Sequence, residues 1–165
     1  MSVVNYGLSK FEYTKSVKGA PAENAEWKEM PEIRQNTATL NTEDGEKTEF
    51  IDERGNVIDT RNLKSKFSLE ITLFIKKGDD YPIPHEDGVV SDNYAIRLTP
   101  EDPSNNGILM ENCSVAVSET WTSADGGSLK YTFTGLKPKT GNILKRYIAE
   151  PAETGGEEPG SEDNE

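Results

Sequence analysis

The sequence predicts a mainly β, single-domain sandwich or barrel with at most one or two short helices. Three observations lead there. First, Phe67, Leu69, Ile71, Leu73 and Ile75 occupy every second position between Leu63 and Lys76, facing Lys66, Ser68, Glu70, Thr72 and Phe74. Period-2 alternation of that length makes a long strand with one buried face, because a helix would scatter those residues around its circumference. Second, Cys113, Val115, Val117 and Trp121 share one face of a segment running from Leu109 to Trp121. Beyond Ser123-Ala124-Asp125-Gly126-Gly127, Leu129, Tyr131 and Phe133 alternate with Lys130, Thr132 and Thr134. An Asp-Gly turn between two alternating runs is a β-hairpin signal. Third, helix formers are confined: Ala22 to Met30 lies between Pro21 and Pro31, room for about two turns.

The remaining elements follow in order. Tyr6 to Tyr13 is expected to be a strand near the N-terminus. Asn36–Asn41, Glu46–Asp52 and Asn56–Asp59 read as three shorter strands, with Glu43-Asp44-Gly45 and Arg54-Gly55-Asn56 as turns. Asn93 to Leu98 alternates at Tyr94, Ile96 and Leu98. Thr99-Pro100-Glu101-Asp102 has the N-cap and first-turn proline of one helical turn. Asn142 to Ile148 is a last short strand. Lys77 to Asp92 is a long polar inter-strand loop carrying Pro82 and Pro84, of a length that is usually functional or disordered. Residues 1–148 form the β domain, and residues 149–165 a flexible, disordered acidic tail with too little apolar surface to fold alone.

Composition narrows the function. Leu, Ile, Val and Phe together number 33 of 165 residues, so the core is thin and suits a protein stabilised partly by neighbouring subunits. The net charge of -12 argues against a surface built to grip nucleic acid, since phosphate affinity comes from Lys and Arg. Seven carboxylates and no base fall between Ala149 and Glu165. The single cysteine, Cys113, allows neither an intrachain disulfide nor a thiolate cluster. No signal-peptide h-region and no bilayer-length apolar stretch is present, so cytosolic synthesis and no membrane partner are expected.

Chemistry-bearing residues read mostly as structure. His85, between Pro84 and Glu86, lacks a nucleophile signature and reads as a solvated loop residue. Cys113 reads as a core hydrophobe. The carboxylates are too numerous for any pair to stand out. Glu43, Asp44, Glu46, Glu49, Asp52 and Glu53 lack the spacing of an EF-hand loop and read as a solvated hairpin face. Trp121 is expected in the core, whereas Trp27 fits an interface anchor or a ligand platform equally. No catalytic, metal or cofactor site is expected, and the chain is read as no enzyme.

The order of elements carries a resemblance. A hairpin meander from Asn36 to Asp59, with Thr48-Glu49-Phe50 at its centre, leads into the long alternating strand. A Pro/Gly loop, a strand, the Thr99-Pro100-Glu101-Asp102 turn and a final hairpin ending at Gly135-Leu136-Lys137-Pro138 follow. Across roughly residues 3 to 148 this resembles the tail-tube proteins of phages and related injection machines, in particular those of Bacteroidetes prophages. The resemblance implies a virion structural protein forming homohexameric rings that stack, with other virion proteins as partners and DNA only as passing cargo. It implies a subunit-contact loop at Tyr81, Pro82, Ile83 and Pro84. Lumen-lining acids are expected at Glu43, Asp44, Glu46 and Glu49, because a conduit for DNA should not trap phosphates. The alternatives are an immunoglobulin-like or carbohydrate-binding sandwich module and another virion component, such as a head decoration or connector protein.

Overall fold

A computed structural model describes residues 4–76, 78 and 81–149. The described residues form eleven strands and no helix. The main sheet takes β1 (Lys10–Val17), β2 (Ala20–Pro21), β3 (Lys28–Glu29), β4 (Thr39–Glu43), β7 (Lys66–Phe74), β8 (Tyr94–Thr99), β9 (Gly107–Thr122), β10 (Gly126–Gly135) and β11 (Lys145–Tyr147). Its order is β2-β1-β8-β9-β10-β7-β4, with β3 on β1 and β11 on β9, and every pairing is antiparallel. β5 (Lys47–Ile51) and β6 (Val57–Asn62) stand apart as a two-stranded ribbon.

The alternating residues do what their spacing predicts. Leu69, Ile71 and Leu73 of β7, Cys113, Val115 and Val117 of β9, and Leu129, Tyr131 and Phe133 of β10 are all buried on one face. The register sets Leu69, Ile71 and Leu73 opposite Phe133, Tyr131 and Leu129. Phe11, Tyr13, Tyr94, Ile96 and Met110 complete the core from β1, β8 and the start of β9. Met110 and Cys113 are both buried although three positions apart. A bulge reconciles them: Tyr94 pairs with Cys113 and Ile96 with Met110, so β9 spends one extra residue between those pairs.

The sheet curls into a half-barrel. Glu29 pairs with Glu12 on the edge of β1 and Met30 N–H donates to the Phe11 carbonyl. Ile33, three residues later, bridges Leu73 on the edge of β7. The Pro31-Glu32 link therefore crosses from one edge of the sheet to the other and ties them at that end. Toward the opposite end the edges splay, leaving a cleft of about 550 Å³ lined by Tyr6, Leu8, Ala38, Leu40 and Leu98. β4 ends the sheet, and its outer edge has no strand partner among the described residues.

Several expectations are corrected. Ala22 to Met30 is not helical: β1's edge offers backbone partners to Lys28 and Glu29, and burial of Met30 outweighs the helix propensity of Ala and Glu. Thr99 to Asp102 is not a helical turn either. The Asp102 carboxylate accepts from the N–H and hydroxyl of Ser104, closing an Asx turn instead. The first strand runs Lys10–Val17 rather than Tyr6–Tyr13, following the six-pair register with β8. Trp121 is 74% exposed, not core. Its face is right, but it pairs with Gly127 beyond the last β7–β10 pair at Phe74 and Ser128, where no strand among the described residues lies over it. The expected tail from residue 150 lies outside the described residues.

Candidate functional site

The loop after β7 folds back onto its own barrel. Ile83 is 0% exposed within the core, while Tyr81 and Pro84 are exposed and Pro82 is half-buried. Tyr131 O–H donates to the Ile83 carbonyl (3.1 Å), and Ile83 N–H donates back to the same hydroxyl (3.4 Å). Tyr13 O–H donates to the Pro82 carbonyl (3.1 Å), and Tyr81 O–H to Glu119 Oε1 (2.6 Å). That last bond raises the Tyr81 phenol above its ordinary value. Burial pushes the Tyr131 hydroxyl up to about 12 and the Cys113 thiol likewise to about 12, holding both neutral.

Further along, Asp87 and Gly88 adopt positive φ (50° and 83°) between Glu86 and Val89, whose backbones exchange hydrogen bonds as in a type I′ turn. Val117 N–H donates to the Gly88 carbonyl, and Val89 bridges Ala116, so the turn extends the sheet beside β9. His85 Nδ1 accepts from Gly88 N–H (3.1 Å). His85 is thus half-buried and caps this turn rather than lying in solvent. Of the four expected contact residues, Ile83 is spent on the chain's own core, and only Tyr81 and Pro84 present an exposed side.

The β5–β6 ribbon is the opposite case. Every residue of both strands is exposed. Phe50 is 49% exposed, Ile51 57%, Val57 52% and Ile58 69%. The register slips between Phe50 and Ile51, setting Ile51 opposite Val57 and leaving Ile58 as the extra residue, so the apolar side chains gather at the far end. The tip beyond them is tightly made. The Asp52 carboxylate accepts from the N–H groups of Arg54 and Asn56 and from the Asn56 side chain, and Gly55 supplies φ 84°. Those bonds, from Asn56 above all, lower the Asp52 carboxyl below its ordinary value.

The expected lumen acids lie at the root and along this ribbon. Glu43 ends β4, Asp44 and Glu46 lie in the link to β5, and Glu49 lies within it; all four are exposed. Glu49 pairs with Lys47 (2.9 Å), while Glu43, Asp44 and Glu46 make no ion pair among the described residues. The acids and the exposed apolar residues therefore share one projecting element. The charges are conspicuous in the sequence, whereas the exposure of Phe50, Ile51, Val57 and Ile58 emerges only from the fold. The available signal was three aliphatic residues flanking the Asp52–Asn56 turn in an otherwise polar hairpin.

Trp27 is neither buried nor a bare platform. Arg97 lies over its ring at 4.3 Å and over Tyr147 at 5.0 Å, and makes two hydrogen bonds to Glu12 (2.9 and 3.1 Å). This clamp fastens the Trp27 segment and β11 onto the outer face of β1 and β8. Among the described residues no group of three or more His, Cys, Asp or Glu could hold a metal ion. No helix among them is long and apolar enough to cross a membrane.

No protein-family model matches the chain, and no curated protein matches it either.

Proposed function

We propose that this chain is a structural subunit that assembles with copies of itself into rings stacking as a conduit of the phage tail-tube kind. The supporting observation is the β5–β6 ribbon: a two-stranded hairpin is marginal alone in water, yet this one projects with four large apolar side chains uncovered. The free edge of β4 and the splayed mouth of the half-barrel add unsatisfied surface of the same sort, which closed barrels avoid and assemblies use. The net charge of -12 suits a tube wall that DNA passes without sticking, with Glu43, Asp44 and Glu46 as unpaired candidates for the bore. Light scattering and negative-stain microscopy of the full chain, and of a chain lacking residues 149–165, test this reading. Rings or stacked tubes are expected as concentration rises. A chain that stays monomeric at high concentration contradicts it.

One observation favours a second reading, a carbohydrate-binding module. Trp121 stands exposed above a shallow hollow formed with Ile75, Glu119, Thr120 and Gly127, where an indole face could stack on a sugar. Retention on a glycan array that Trp121→Ala abolishes would establish it, and a blank array would remove it.

A further inference from the structure

We infer that copies of this chain join head to tail, the β5–β6 ribbon of one seated in a lysine-flanked cleft at the ribbon root of the next; this rests on the self-assembly proposed above. The cleft, about 520 Å³, lies between the start of β7 and the β10–β11 connection and is lined by Lys64, Phe67, Lys137, Pro138, Ile143 and Leu144. Phe67, Ile143 and Leu144 are only half-buried, so the floor is apolar and incompletely covered. Lys64 and Lys137 are exposed at its rim and make no ion pair among the described residues, although the chain carries 30 acids against 18 bases.

The ribbon has the complementary chemistry. From Glu43 to Asn62 it carries seven acids and three bases, and beside its apolar end lie Asp52, Glu53 and Asp59 against Arg54 alone. An apolar element edged with carboxylates fits an apolar cleft edged with ammonium groups, and the charge match fixes partner and register. The ribbon cannot fill its own cleft. Lys64 lies two residues past the end of β6, and at about 3.3 Å per strand residue the apolar end stands roughly 20 Å away. The occupant is therefore a second copy. Because ribbon and cleft are different surfaces, the contact is heterologous, and repeating it makes a ring if the rotation closes and a filament if it does not.

Two exposed-site variants test the pairing: Ile51→Asp with Ile58→Asp in the ribbon, and Lys64→Glu with Lys137→Glu in the cleft. Each alone is expected to raise the concentration for half-assembly at least about tenfold. Mixed together they should form a 1:1 complex that grows no further, since one intact ribbon and one intact cleft remain. Wild-type chain that assembles while both variants assemble equally well overturns the pairing and leaves the proposed function standing. Impaired variants that form no complex on mixing overturn it too, since a like-with-like contact would behave so. A cleft variant whose defect disappears in a chain lacking residues 149–165 overturns it by making the acidic tail the occupant. Wild-type chain that is monomeric at every concentration removes the parent reading as well.

Discussion

The β9–β10 hairpin and the β5–β6 ribbon are both antiparallel pairs joined by a glycine-containing turn, yet their fates in the monomer are opposite. Along β10, Leu129, Tyr131 and Phe133 are each at most 3% exposed, flanked by β7 on one side and β9 on the other. Along the ribbon no residue is buried, and Phe50, Ile51, Val57 and Ile58 face solvent. Local pattern decides whether a strand forms. What covers it is decided by topology, and here the described residues cover the β9–β10 hairpin but not the ribbon. The lesson is to look for a partner where local structure is well made but uncovered. The Asp52 turn shows that the ribbon is built as a defined element rather than a loose loop.

Substitutions should separate the two regions sharply. In the barrel, Phe133→Ala removes a ring packed 5.6 Å from Phe11 and should cost about 3–5 kcal/mol, read from denaturant unfolding. Breaking the Glu12–Arg97 pair by Arg97→Ala leaves a carboxylate with only 8% side-chain exposure to a single long contact with Lys10 (3.9 Å). A loss of about 3 kcal/mol is expected, and Arg97→Lys should recover part of it without the two-pronged geometry. Tyr131→Phe keeps the ring but leaves the buried Ile83 N–H and carbonyl unpaired, for a loss of about 1–3 kcal/mol. Ile58→Lys in the ribbon should change monomer stability by no more than about 0.5 kcal/mol while impairing assembly. A large monomer destabilisation there would show that the ribbon is already covered.

Alkaline pH acts on the barrel. The Tyr131 hydroxyl is raised from 10 to about 12, and the Cys113 thiol from 9 to about 12. The folded state therefore holds these protons, with those of the raised Tyr13 and Tyr94 phenols, past the pH at which the unfolded chain releases them. Their stabilising contribution is present in full below pH 9 and is lost as pH rises toward 12. Unfolding followed by tyrosine absorbance should show a falling midpoint across that window. Cys113 should resist alkylation until the chain unfolds.

How much of this was legible in the sequence follows from the same contrast. β7, β9 and β10 were readable because each has a single buried face, which imposes period 2 on the residue pattern. β8 was harder, since Ala95 and Thr99 are buried along with Tyr94 and Ile96. The β3 fragment within Ala22–Met30 was invisible, because edge pairing with β1 is a tertiary effect that propensity does not record. Trp121 was misplaced because a side chain's face can be read locally, but whether another segment lies over that face cannot. The ribbon acids were noticed as charges, whereas the apolar residues between them gain meaning only once their exposure is known.

Hydrogen exchange of the intact chain across a range of concentrations tests the ribbon's role most directly. Amides of β9 and β10 should exchange slowly at every concentration, while those of β5 and β6 should exchange fast when dilute and become protected as the chain is concentrated. Ribbon amides that exchange at the same fast rate at all concentrations would contradict the account, because the ribbon would then have no partner among copies of its own chain.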